Sequence, residues 1–232
     1  MNTIKVIVLL ATLSGLLLII GYFIARGRGV MIALILSGVM NFGSYWYSDS
    51  IVLRMYNAGP VTRMQAPALY NAVESLSHKA RIPVPKVYVI PQDSPNAFAT
   101  GRDENHAAVA VTSGILKILT KDELEGVIAH ELSHIRNRDI LISTMAATIA
   151  SAVVLLSRWA TFFGGNEDSG LMTTIAVAVI APVAATLIQM AISRSREYEA
   201  DAGGAEVSGK PQALASALAK LARSAERKPM DA

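Results

Sequence analysis

Five consecutive residues, His130-Glu131-Leu132-Ser133-His134, hold the chain's most suggestive chemistry. Residues four apart share one face of an α-helix, so both imidazoles can converge on a single ion. Neutral imidazole is a good zinc ligand. Glu131, one position round from His130, can reach an attacking water without competing for the metal. Together they form the donor set of metal-assisted hydrolysis. The same residues would also suit an ordinary solvated helix. Against that, they include two of only four histidines, and Thr120 followed by Glu123 forms a capping box that opens a helix just ahead of them.

A catalytic zinc site needs a third protein ligand and one open position. The chain has no cysteine, which excludes thiolate zinc sites, disulfide frameworks, iron–sulfur clusters and cysteine nucleophiles. A carboxylate is therefore the natural third ligand. Glu197 and Asp201 stand four apart in Arg194-Ser195-Arg196-Glu197-Tyr198-Glu199-Ala200-Asp201. On one helical face, Glu197 could ligate the metal while Asp201 orients an imidazole through its second nitrogen. The spacing equally fits a charged helix laced with ion pairs, Arg194 and Arg196 against Glu197 and Glu199. Of the other histidines, His78 reads as a surface residue on an amphipathic helix and His106 as a loop residue. His106, Tyr198 and Arg196 are the candidates for stabilising a tetrahedral intermediate, and the sequence does not choose among them.

The elements that must position these residues include apolar ones. Hydrophobic residues make up 52% and charged residues 17%, with a mean hydropathy of +0.40. An ordinary soluble domain carries about 25% charged residues, and a disordered chain would need low hydrophobicity and high charge. The apolar residues fall in charge-free runs at Val6–Ala25, Val30–Ser48, Ile140–Ser157 and Ser169–Ser193. Each reaches the roughly 18–20 residues that cross a membrane as a helix. The first run is longer than a signal peptide's apolar stretch and a second follows at once, so it reads as a retained helix. The runs make two hairpins, joined by Arg26–Gly29 and Arg158–Asp168, with aromatic residues at the span ends and Pro182 kinking the fourth helix.

Orientation follows from lysine and arginine near the span ends. Lys5, Arg54, Arg63, Arg136, Arg138, Arg194 and Arg196 share one face, against Arg26, Arg28 and Arg158 on the other, which makes the first face cytoplasmic. The net charge of +3 is small, and no nucleic-acid partner is expected. The polar remainder, Asp49–Asp139 and Arg194–Ala232, is enough for one domain. Within it, Ala66–Lys79 has helical spacing and Lys86–Ile90, Asn96–Thr100 and Ala107–Thr112 read as strands. Ser113–Leu119 begins a helix, and Pro211–Ala225 forms the last one. The expected architecture is an α+β membrane protein in four segments: an N-terminal hairpin over 1–48, two pieces of one polar domain over 49–139 and 194–232, and a second hairpin over 140–193. One transmembrane hairpin separates the two motifs, so both return to the same face.

The chain resembles the membrane-integrated zinc metalloproteases of the HtpX type, relatives of the CAAX prenyl proteases. Three motifs carry the likeness: His130–His134 with its Ile135–Asp139 extension, the Ser193–Gly204 stretch, and Asn96–Gly101 ahead of them. Family members usually continue to a further C-terminal helix bearing His-Pro and Arg, whereas this sequence ends at Ala232. The resemblance implies four transmembrane helices and a mainly helical, gluzincin-like domain with a small β-sheet. It implies one zinc ion per chain, held by His130, His134 and Glu197, with Glu131 as general base and Asp201 behind the ligands. Asn96, Ala97 and Phe98 would lie on an edge strand that pairs with an extended substrate.

The activity so implied is quality-control hydrolysis of misfolded or damaged membrane proteins under stress. The bacterial inner membrane would hold the enzyme, with the protease domain in the cytoplasm. Membrane-protein or peptide substrates and the lipid bilayer are the expected partners. A dedicated processing protease for prenylated or other membrane-attached substrates is the alternative within the class, and an inactive membrane scaffold the alternative outside it. An intramembrane protease is excluded because Lys121, Asp122, Glu123, Glu125, Arg136, Arg138 and Asp139 crowd the motif helix. His134 precedes Ile140 by about 9 Å of helix at 1.5 Å per residue, so the site is expected close above the bilayer.

Overall fold

The computed structural model describes residues 2–143 and 194–227. The connection Arg158–Asp168, the span Ser169–Ser193 with Pro182, and most of the span Ile140–Ser157 lie outside them; residues 140–143 are helical. The described residues fall into two compact units, one on the Met1–Ser48 side and one formed by Asp49–Leu141 together with the residues from Arg194 onward.

Helix α1 covers Asn2–Met55. Arg26 interrupts it with a left-handed φ of 47°, and the Asn41 amide donates to Ser14 Oγ at 2.8 Å. Those two residues are far apart along any straight helix, so the chain folds back at Arg26. Leu17, Ala33 and Ser37 are buried, while Met31, Ile32, Leu34, Ile35, Val39 and Phe42 are exposed. An exposed apolar surface of this extent marks a membrane or protein contact. Among the described residues, Arg26–Tyr47 is the one helical stretch long and apolar enough to cross a membrane, and Leu10–Ile19 is a shorter apolar stretch.

The second unit is mainly helical around a small mixed sheet. Its strands are β1 (Gly59–Pro60), β2 (Lys86–Ile90), β3 (Ala97–Gly101) and β4 (Ala107–Thr112), in the order β1-β2-β4-β3. β2 runs parallel to β4, and β3 pairs with β4 antiparallel, leaving β3 at an edge. Helices α2 (Pro67–Ala80), α3 (Ser113–Ile118) and α4 (Lys121–Arg136) follow in the chain order, with α5 (Arg194–Ser208) and α6 (Pro211–Arg227) after the second apolar region. α2 starts on Pro67 at its first turn and ends where Arg81 turns left-handed with φ 58°. β1 is absent from the sequence reading because Gly-Pro has no strand signature; its partner β2 dictates it.

Alternation along the strands divides the core. Val87, Val109 and Val111 face α2 and α4, packing with Leu69, Val73, Ile115, Ile128 and Leu132. Ala108 and Ala110 face the other way, onto Leu53 at the end of α1, with Phe98 packed against them. α4 thus runs through the middle of the unit, and most of its residues are buried. Its start is fixed by the capping box, in which Thr120 and Glu123 bond each other's backbone N–H. Glu123 also takes Ser216 and Lys220 of α6 at 2.7 Å each. The Lys220 ammonium, then the Thr120 and Ser216 donors, hold its carboxyl down at about 2, so it stays ionised far below the usual carboxylate range.

The far end of α4 differs from expectation. The helix does not run on from His134 towards Ile140; it stops at Arg136 and turns at Arg138, whose φ is 58°. A rise of 1.5 Å per residue therefore does not measure the distance between those two residues.

Candidate active site

α4 presents His130 and His134 side by side, with their Nε2 atoms 3.2 Å apart. Glu197, in the first turn of α5, brings Oε2 to 3.6 Å from His130 Nε2 and 3.8 Å from His134 Nε2. Ligands at the usual 2.0–2.1 Å zinc distance in a tetrahedral arrangement are separated by about 3.3 Å. The three donor atoms therefore stand close to the spacing that one zinc ion requires. Among the described residues this is the group of histidine and carboxylate side chains with metal-site spacing.

The other nitrogens of both rings face carboxylates. Asp201 Oδ1 lies 2.9 Å from His130 Nδ1, in ion-pair range though off the line of an ideal hydrogen bond. Asp139 Oδ2 lies 3.1 Å from His134 Nδ1. Burial pushes the His134 imidazole down, but its hydrogen bond to Asp139, aided by Glu131 and Glu197, more than reverses this and raises its pKa overall. A metal on this ring would compete with protons for it.

Glu131 is half-buried beside the two imidazoles, and its Oε2 accepts the Ala99 backbone N–H at 2.8 Å. Burial raises its pKa above the ordinary carboxylate value, against the opposing pull of His130, His134 and the Ala99 N–H. A carboxylate whose pKa is shifted towards neutrality suits proton shuttling.

Close helix contact makes this convergence possible. Glu197, Asp201 and Gly204 follow at i, i+4 and i+7 and so share the face of α5 that meets α4. A Cβ on Gly204 would lie 2.9 Å from His130 Cα and N, and one on Gly203 would lie 2.8 Å from Ser133 Oγ and Arg136 Nη2. Only glycine allows α5 this near the backbone of His130. Two adjacent glycines inside a helix cost about 1 kcal/mol each relative to alanine, and that expense was the available sequence signal.

The edge strand is oriented more specifically than the sequence reading allowed. The Asn96 carbonyl accepts from Thr112 N, and Asn96 N donates to Thr112 Oγ1. With Phe98 opposite Ala110 in the same register, Asn96 and Phe98 direct their backbone towards β4. Ala97 and Ala99 direct theirs to the open edge, as the Ala99 bond to Glu131 illustrates. The Phe98 ring packs on Tyr56, centroids 5.3 Å apart, on the sheet face opposite the core that contains α4. Of the residues considered for stabilising an intermediate, His106 is exposed and paired with Asp103 at 2.7 Å, Tyr198 is exposed, and Arg196 is buried.

The model of peptidase family M48 matches residues 63–230 of this sequence, the stretch that holds His130, Glu131, His134, Asp139, Glu197 and Asp201. The chain belongs to that family. Relatives named "Protease HtpX homolog" agree with it closely across the M48 region and beyond. The one from Desulforapulum autotrophicum is 53% identical over 240 residues, covering 100% of this chain and 78% of its own length. Those from Paraburkholderia phytofirmans and Burkholderia multivorans are 54% and 52% identical, covering 96% and 100% of this chain and 79% and 82% of theirs. Among solved structures, the crystal structure of S. mikatae Ste24p is similar in fold, with a TM-score of 0.55 at 19% identity. That likeness covers 99% of this M48 chain and 60% of the other.

Proposed function

We propose that this M48 family member is an integral-membrane zinc endopeptidase that hydrolyses misfolded or damaged membrane proteins. His130, His134 and Glu197 hold the zinc, Glu131 is the general base, and Asp201 orients His130. The observation that carries this reading is the near-tetrahedral spacing of the three donors, 3.2 to 3.8 Å apart, with the Glu131 carboxylate held beside them by the Ala99 N–H.

Zinc bound there would supply Lewis acidity, making water a better acid and polarising the scissile carbonyl. The chain's own groups do the rest. An extended substrate adds to the open edge of β3 through the backbone of Ala97 and the Ala99 carbonyl, which lays a peptide bond alongside α4. Asn96 and Phe98 hold that strand in place from behind, through Thr112 and Tyr56. Ala99 N–H fixes one oxygen of Glu131, and the carboxylate takes a proton from the attacking water and passes it to the leaving amine.

Sequence position supports a membrane substrate. His134 stands just before the apolar run that starts at Ile140, and Glu197 just after the one that ends at Ser193. The hairpin folded at Arg26 supports an N-terminal membrane anchor, which with the runs 140–157 and 169–193 gives four transmembrane helices. The arginine distribution favours a cytoplasmic catalytic domain, at the inner membrane of a bacterium. Cleavage sites should therefore cluster in juxtamembrane and loop segments. Mass-spectrometric mapping of cuts in a membrane-protein substrate, with protease and substrate in the same liposomes, tests this. Cuts spread evenly through soluble domains would count against it, and one fixed site in one substrate would favour a dedicated processing enzyme.

A further inference from the structure

The α4 turn contains a carboxylate that the reaction above does not use. The helix ends in a Schellman turn: Asp139 N–H bonds the His134 carbonyl at 3.2 Å and Arg138 N–H bonds that of Ile135 at 3.0 Å. Arg138 holds the left-handed conformation at φ 58°, which costs a residue with a Cβ about 1–2 kcal/mol. Its guanidinium is tied to Glu104 at 2.8 Å. The outer bond of the turn lands on a metal-binding residue, and the same two residues meet again through their side chains, Asp139 Oδ2 to His134 Nδ1 at 3.1 Å.

Asp139 is only 3% exposed, and its Oδ1 has no hydrogen-bond partner among the described residues. An aspartate immediately before a helix ordinarily caps it, and residues 140–143 are helical. Here the bonded oxygen goes to the imidazole instead. Burying a carboxylate with one oxygen unsatisfied is costly, so helix capping does not account for its placement.

We propose that Asp139 is a positioning residue: it fixes His134 as the tautomer with hydrogen on Nδ1 and aims Nε2 at the metal. This rests on the reading of His130, His134 and Glu197 as zinc ligands. The two imidazoles are thereby oriented from different elements, His130 by Asp201 of α5 and His134 by the terminal turn of α4 itself. His134 keeps its aim without help from α5.

The test compares the full-length wild type with Asp139→Asn, which retains an acceptor oxygen, and Asp139→Ala, which does not. Zinc affinity is measured by chelator competition. The Nδ1–H resonance of the zinc-loaded protein is followed after ¹⁵N-histidine labelling, which only four histidines keep simple. Asp139→Ala should bind zinc about 10–100-fold more weakly, the range for losing such a partner, and lose the slowly exchanging His134 Nδ1–H signal. Asp139→Asn should keep that signal and recover most of the affinity. An Asp139→Ala affinity within twofold of wild type would overturn the proposal. So would equal losses in both variants with the signal intact, because the carboxylate would then serve the turn alone. If the wild type binds no zinc, the protease reading itself fails, a result distinct from either of these.

Discussion

Glu131→Gln should bind zinc as the wild type does and lose peptide-bond cleavage by at least about 10²–10⁴-fold, the usual contribution of a positioned general base. Glutamine has nearly the shape of glutamate, and its amide oxygen can still accept the Ala99 N–H that now holds Oε2 at 2.8 Å. The substitution removes the carboxylate proposed to take a proton from water, and leaves His130, His134 and Glu197 untouched. Measured together, metal content and cleavage rate separate base from ligand: full zinc with no turnover is the expected pair. Substantial residual cleavage in the zinc-loaded variant would remove Glu131 from its role. The inactive variant should also retain bound substrates, which makes it the natural trap for identifying them.

The second large effect is expected at a residue with no side chain. Gly204→Ala places a Cβ 2.9 Å from the Cα and N of His130, closer than real Cβ atoms come, and both atoms it meets are backbone. α5 must move away, carrying Glu197 and Asp201 with it. Overpacking of this kind costs about 1–3 kcal/mol, and a shift near 1 Å at reacting groups can cost about 10²-fold in rate. Alanine is meanwhile the better helix former by up to about 1 kcal/mol, so the two effects oppose each other. The packing term should prevail at the site, because ligand geometry tolerates only about 0.5 Å of error. Expected are weaker zinc binding and about 10–10²-fold slower cleavage with helix content undiminished. Ala202→Ser, at an exposed position on the same helix, serves as the control. Unchanged zinc affinity in Gly204→Ala would show that the α4–α5 contact does not set the site.

Local signals were legible in the sequence, and contacts between elements were not. The His130–His134 pair and the Thr120–Glu123 capping box lie within one helix, so spacing alone places them, and both occur as expected. β2 and β4 have the bounds read from their β-branched residues. The third donor could not be chosen from spacing, since Glu197 and Asp201 suit ion pairs with nearby arginines as well as they suit a metal. What spacing could not show is the approach of α5 to α4, which brings Glu197 Oε2 to within 3.8 Å of both imidazoles. For Asn96–Phe98 the strand was legible but its register was not; pairing with β4 determines that Ala97 and Ala99 face the open edge. Arg26 and Arg138 are the least legible points of all. Each takes a left-handed conformation that sequence rules assign to glycine or asparagine, and each redirects the chain: one closes the hairpin, the other returns Asp139 to His134.

Everything proposed depends on one zinc ion held by side chains from α4 and α5. X-ray absorption at the zinc edge of the purified full-length protein addresses this directly. The account predicts one zinc per chain, coordinated by two imidazole nitrogens and a carboxylate oxygen at about 2.0–2.2 Å with one position open to solvent, and weaker zinc binding in Glu197→Ala. Absence of zinc, or a shell with fewer than two imidazoles, would contradict it.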